Sequence, residues 1–293
     1  MGKITSHENV EKKMANIVKN ENSENEEGKI IANTLSNLFS LKGKVAFVSG
    51  GASGIGKRIA TILNYVGAEV YVADKDLEGA RKVALNAIKF TKIPCHPVYI
   101  DVRDYQTVKS AFKQVKDDRG RLDILVCSAG ISGAQWIESM EPELWHRVLD
   151  VNLTGVFYCC KEAVSLMIPF KWGRIITIAS IAASHAPRPE QFNGGYNYSA
   201  SKAGVIGLTK RLAVELAPYR ITVNSISPGF FETPLTRRAL QDERTMHTLL
   251  DSIPLGRVGR PEDLDGLVVY LCSTSSDYLT GQEILIDGGY SVW

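Results

Sequence analysis

The sequence predicts an α/β fold: a doubly wound, parallel sheet of about seven strands with helices on both faces. Three observations predict it. From Lys44 onward, short β-branched apolar runs alternate with helical stretches, the pattern left by helical crossovers between parallel strands. The runs are apolar on both faces, as strands are when helices cover both sides of a sheet. The first run ends in a glycine-rich turn that leads straight into a helix. In sheets of this kind ligands bind outside the carboxyl ends of the strands.

The elements follow in order. VAFVS (45–49) is the first strand, and a helix runs from about Gly54 to Val66. EVYVA (69–73) is the second strand, with a helix over 77–92. HPVYI (96–100) is the third, with a helix over 104–119. DILVC (123–127) is the fourth, followed by a long helical region over 142–169. RIITIA (174–179) is the fifth, with a helix over 197–217. ITVNSI (221–226) is the sixth, a helix opens at Pro261, and EILI (283–286) closes the sheet.

Composition excludes several function classes. The chain has 293 residues, 44% hydrophobic and 23% charged, with a net charge of +2. That balance calls for neither nucleic acid nor an anionic membrane. No apolar run approaches the roughly 20 residues of a spanning helix. The five cysteines (Cys95, Cys127, Cys159, Cys160, Cys272) lack a C-x-x-C pair and sit mostly in apolar runs. They read as buried thiols in a reducing compartment, with vicinal Cys159 and Cys160 as a disfavoured redox pair. No histidine has metal-ligand spacing, so no metal site is expected. Residues 1–40 are rich in Asn, Glu and Lys. They lack an apolar signal core and are too acidic for a mitochondrial transit peptide, so a cytoplasmic protein is expected. This arm is a partly disordered extension, with a short helix possible over 30–39. Residues 41–293 form the single large domain.

Two motifs carry chemistry. The first strand runs into Ser49-Gly50-Gly51-Ala52-Ser53-Gly54-Ile55-Gly56. Glycines let backbone N–H groups approach a pyrophosphate, with a helix N-terminus behind them. Asp74 closes the second strand, where a carboxylate accepts hydrogen bonds from an adenosine ribose and repels a 2′-phosphate. NAD is therefore expected over NADP, with Lys75 able to soften the preference. The second motif is Tyr198-Ser199-Ala200-Ser201-Lys202, which puts Tyr and Lys on one helix face. A nearby ammonium lowers a phenol's pKa and makes it a usable general acid/base. Tyr196 has no lysine four residues on. Ser180, at the end of the fifth strand, offers a hydroxyl to a developing oxyanion, and Ser184 is its weaker substitute.

The loop Gly50…Gly54-x-Gly56 and Tyr198-x-x-x-Lys202 resemble the short-chain dehydrogenase/reductase family, over about residues 44–293. The resemblance implies a Rossmann-type fold and hydride transfer between NAD(H) and a secondary alcohol or ketone. It makes Ser180, Tyr198, Lys202 and Asn152 the catalytic set, with Asn152 holding a water in a relay to Lys202. The dinucleotide would be held by Gly50, Ser53, Gly54, Ile55, Gly56, Asp74, Asp101, Val102, Ala129, Gly130, Tyr198, Lys202, Pro228, Gly229 and Thr233. Asp101 and Val102 would border the adenine, although Asp101 also suits the N-cap of the next helix. Pro228, Gly229 and Thr233 would meet the nicotinamide. Residues 230–255 would form the substrate lid, and the chain a homotetramer or dimer. Two features depart from the family. Ser128 stands where it has Asn, and the Ser180–Tyr198 spacing is longer, through a surface insertion over 185–195. The sequence looks closest to members that oxidise sugars, sugar acids or polyols, which implies a substrate of that kind. The alternatives are an NADPH-dependent 3-oxoacyl carrier-protein reductase and, more remotely, a non-catalytic dinucleotide sensor.

Overall fold

The structure, a computed structural model, describes residues 34, 37–186 and 195–292. The expected helix over 30–39 and insertion over 185–195 lie largely outside the described residues. By its contacts the chain divides into Met1–Ser40 and Leu41–Trp293. The second unit is built on seven parallel strands: β1 (Val45–Ser49), β2 (Glu69–Asp74), β3 (Cys95–Tyr99), β4 (Ile124–Cys127), β5 (Gly173–Ile178), β6 (Ile221–Pro228) and β7 (Glu283–Ile286). Their order is β3-β2-β1-β4-β5-β6-β7. The order reverses between β1 and β4, which pair with Ser49 opposite Cys127. The carboxyl ends of these two strands are thus the switch point, where a ligand crevice opens.

Side chains alternate across each strand, so two apolar layers form. On one face Phe47, Leu125, Ile175 and Val223 pack with α3 (Tyr105–Arg119), α5 (Gly155–Met167) and α6 (Tyr196–Leu216). Phe47 stacks on Phe112 of α3 at 4.4 Å between centroids. On the other face Val48, Val70, Val126 and Ile176 meet α1 (Gly54–Tyr65), α2 (Leu77–Thr91) and α9 (Asp265–Cys272). Each fully buried side chain of this kind contributes roughly 1.5–3 kcal/mol. Short polar side chains cap two helices of the body. Asp76 accepts from the Gly79 N–H before α2, and Asp104 from the Gln106 N–H before α3. Asp101 therefore does not cap α3, and its carboxylate is left for other contacts.

The long helical region is a rod interrupted by one turn. Helix α4 (Pro142–Leu149) passes through a π turn (Asp150–Thr154) into α5. Contrary to the sequence expectation, the rod Pro142–Phe170 is long and apolar enough to cross a bilayer by length and composition. Here it lies on the sheet and buries Val156, Cys159, Cys160, Ala163 and Met167. The helix expected at Pro261 opens as a 3₁₀ turn, Pro261–Leu264, that continues into α9. Beyond β6, two short helices, α7 (Arg237–Leu240) and α8 (Glu243–Asp251), occupy the stretch expected as a lid.

Candidate active site

A cavity of about 690 Å³ opens at the carboxyl ends of the strands. All fifteen residues expected to hold a dinucleotide line it, and Ser180 joins them. Asn152 does not line it.

One end is the glycine loop. Gly50 has a positive φ of 70°, and a Cβ there would lie 2.6 Å from the Ala129 Cα. A Cβ on Gly56 would run into the Gly50 carbonyl. The loop can hold this shape only with glycine at both places. Ser53 precedes α1 in an extended conformation and makes no side-chain cap. The first N–H groups of α1 are therefore not taken by a side chain, as a phosphate site requires. This uncapped, Cβ-free cradle fits a pyrophosphate.

Asp74 braces the cradle. Its Oδ2 accepts from the Ala52 N–H at 3.1 Å and its Oδ1 from the Asp76 N–H at 3.0 Å. Each oxygen keeps a lone pair for a ribose hydroxyl. Asp101 is held differently. The Arg103 guanidinium grips it through Nε at 3.0 Å and Nη2 at 2.6 Å, and that grip holds its carboxyl below the usual range. Thr233 and Pro234 lie across from Gly54, 3.5 and 3.4 Å from where its Cβ would be. The Thr233 hydroxyl pairs with that of Thr236 at 3.1 Å.

At the other end stand Ser180, Tyr198 and Lys202. Ser180 leaves β5 and accepts from the Ala182 N–H at 3.1 Å. Tyr198 and Lys202 lie one turn apart on α6. The longer Ser180–Tyr198 spacing does not separate them: both line the cavity, and Ser180 is near enough to act on the Tyr198 phenol. Ser184 bonds His185 Nδ1 instead, at 2.9 Å. Burial pushes the Tyr198 phenol up, and Ser180 pulls it only partway back. The net direction is upward, against the lowering that the sequence predicts, because burial outweighs it. The Lys202 ammonium stands 5.5 Å from the Tyr198 ring centroid and donates to the Ile178 carbonyl at 2.7 Å. Burial brings Lys202 itself down to about 8.

Asn152 sits in the π turn, fully buried. Its Oδ1 accepts from the Ile131 N–H and its Nδ2 donates to the Ile131 carbonyl, both at 2.9 Å. Nδ2 also donates to Ser201 Oγ at 3.1 Å, and that hydroxyl donates to the Tyr198 carbonyl at 2.7 Å. Both polar side-chain atoms of Asn152 thus have protein partners. The residue ties the loop after β4 to the start of α6. Gly130 lies under it: a Cβ there would stand 3.5 Å from Asn152 Oδ1 and 3.6 Å from Lys202 Nζ. Ser128, in place of the family Asn, faces Gly56 across the loop.

The cavity also takes Ile131, Ser132, Arg103 and Arg147, which the sequence did not single out, and Phe231 and Leu235 from the expected lid. Arg103 was legible as the residue after Val102. Arg147 was legible only through helical spacing, four residues before Val151. All five cysteines are free and buried. Among the described residues no group of three or more His, Cys, Asp or Glu side chains could hold a metal ion.

Comparison with known proteins places this geometry. A protein-family model described as Enoyl-(Acyl carrier protein) reductase matches residues 50–291. The 3-oxoacyl-[acyl-carrier-protein] reductase of Thermotoga maritima is 39% identical over 251 residues, covering 85% of this chain and 98% of its own. A short-chain type dehydrogenase/reductase from Mycobacterium marinum superposes with a TM-score of 0.83 at 38% identity, over 88% of this chain and 99% of its own. A gluconate 5-dehydrogenase from Burkholderia cenocepacia, solved with NADP and tartrate, has a TM-score of 0.83 at 31% identity, again over 88% and 99%.

Proposed function

The chain belongs to the short-chain dehydrogenase/reductase family and is an NAD(P)-dependent oxidoreductase acting on CH–OH groups, and from that premise we propose that it reduces the keto group of a 3-oxoacyl thioester to the 3-hydroxy form, with NADH preferred. The observation that carries the direction is the Tyr198 phenol, which lines the cavity with Ser180 and whose pKa is raised by burial. At neutral pH it keeps its proton, as the general acid of a carbonyl reduction must. The names of relatives such as the Thermotoga maritima enzyme support the acyl substrate over the sugar acid first expected.

The bound dinucleotide supplies the hydride. Tyr198 gives its proton to the substrate oxygen as charge develops there. Ser180 donates a hydrogen bond to the same oxygen. Lys202, charged below about 8, stabilises the phenolate left behind and reaches the nicotinamide ribose. Asn152 is a positioning residue that holds Ile131 and α6 in place. The cradle from Gly50 to Gly56 binds the pyrophosphate. Asp74 takes the ribose hydroxyls and sets the preference for NADH. Pro228, Gly229 and Thr233 meet the carboxamide. Residues 230–255 close over the substrate. We also propose a cytoplasmic homo-oligomer, joined through exposed apolar residues such as Phe157 on α5 and Val214 on α6. Light scattering would check this, and a monomer at micromolar concentration would refute it.

A sugar acid is the second reading, favoured by the likeness to the Burkholderia cenocepacia dehydrogenase. Initial rates decide between them, measured with an acetoacetyl thioester and NADH or NADPH, and with gluconate and NAD or NADP. Thioester reduction at least about tenfold better with NADH, a gap of about 1.4 kcal/mol that Asp74→Ala erodes, supports the proposal. Gluconate oxidation without thioester reduction replaces it.

A further inference from the structure

We propose that Arg147 holds the adenine ring of the dinucleotide, its guanidinium lying flat against the open face of the base. The inference rests on reading the cavity as the dinucleotide site and is independent of the acyl substrate. It holds for NADH and NADPH alike, which share the adenine.

The line of the helical rod places Arg147 there. Gly155, at the start of α5, packs so closely on Val102 that a Cβ would lie 2.8 Å from the Val102 side chain. Val102 follows β3 and lines the cavity beside Asp101. Running back along the rod from Gly155, Val151 and then Arg147 recur at four-residue steps. Both line the same cavity. The rod that touches Val102 at Gly155 thus carries Val151 and Arg147 along the same cavity wall. The charges at that end point the same way. Arg103 is held above the usual arginine value by its bonds to Asp101 first, and the Asp150 carboxylate adds to that pull. Asp150, three residues after Arg147, is thus within electrostatic reach of the β3 end.

Arg147 is also a planar cation that is not committed elsewhere among the described residues. Arg103 is engaged with Asp101 through both Nε and Nη2. The Arg103 N–H also donates to Asp101 Oδ1 at 3.0 Å. Asp101 has little acceptor capacity left for a base. Arg147 is exposed on the last turn of α4, and among the described residues its guanidinium has no ion pair or hydrogen bond. A planar guanidinium without a partner stacks well on an aromatic face.

The test titrates wild type, Arg147→Ala and Arg147→Lys with whichever dinucleotide binds more tightly. Bound dinucleotide fluorescence is then displaced with AMP or with nicotinamide mononucleotide. The expected result is a loss of about five- to thirtyfold in affinity for the dinucleotide and for AMP in Arg147→Ala. Affinity for the mononucleotide should hold, and Lys should restore only part of the loss. Unchanged dinucleotide affinity overturns the inference. So does an equal loss for AMP and the mononucleotide, which marks a structural role, or full rescue by Lys, which marks a charge on the phosphates. The AMP effect in an enzyme that reduces no 3-oxoacyl thioester supports this inference and sinks only the substrate reading. A wild type that binds neither dinucleotide overturns both.

Discussion

Lys202 shows how the site sets chemistry against stability. It is buried, and burial brings its pKa from the usual 10.5 down to about 8. The folded chain therefore binds its proton less readily than the unfolded chain does. Below about 8 both states carry the proton, and the cost of the buried charge is fully present. Between about 8 and 10 the unfolded chain holds the extra proton, so stability rises with pH across that window. A drop of this size corresponds to about 3 kcal/mol at neutral pH, partly offset by the bond to the Ile178 carbonyl. Lys202→Met should thus abolish turnover and raise Tm at pH 7, with the gain shrinking by pH 10. A Tm that falls at pH 7 would mean that the lost hydrogen bond outweighs the relieved charge. Tyr198 carries the opposite expectation. Tyr198→Phe removes one hydroxyl and should lower kcat by about 10²- to 10⁴-fold while the dinucleotide affinity stays within twofold.

At the scale of the element, the π turn is the part that the sequence hid. The spacing predicted one long helix over 142–169, and the helical residues were there to read. Nothing in DVNLT marks a switch from i→i−4 to i→i−5 bonding, because the cause is tertiary. Asn152 turns inward to pair both backbone groups of Ile131, and the helix gives locally to let it reach. Asn152→Ala should leave those two part-buried groups without their protein partner, at up to about 1–3 kcal/mol each. We expect a lower denaturant midpoint and a loss in kcat larger than the loss in dinucleotide affinity. Equal losses in both would argue that the residue supports the whole crevice rather than the reacting end. The glycine cradle is the contrasting case. Its positive φ at Gly50 and its close contact at Gly56 follow from the spacing Gly50…Gly54-x-Gly56, so it was legible before any coordinates. The direction of the Tyr198 shift was not, because burial cannot be read from a four-residue spacing.

For the whole molecule, the parallel order and the two-faced core were legible because strand and helix periods alternate without interruption from Val45 to Ile286. The substrate was less so. Specificity lives in the loops past the strand ends, and no period marks those. The same reasoning separates the arm from the body. Among the described residues, both apolar layers draw on residues from Leu41 onward, and the cavity lining falls between Gly50 and Thr236. Leu41 is itself fully buried, and its N–H donates to the Val66 carbonyl at 3.0 Å. A chain that begins at Leu41 should therefore fold alone, with Tm within about 2 °C of the full chain, since a change that removes no core contact stays within about 0.5 kcal/mol. Its dinucleotide affinity and kcat should match those of the full chain within twofold. A truncation at Lys44 is the control. It deletes Leu41 from the core and should cost about 2–5 kcal/mol, as large core deletions do. If removing residues 1–40 alone lowers affinity or kcat tenfold, the arm works in the site, and the crevice is not complete in the body.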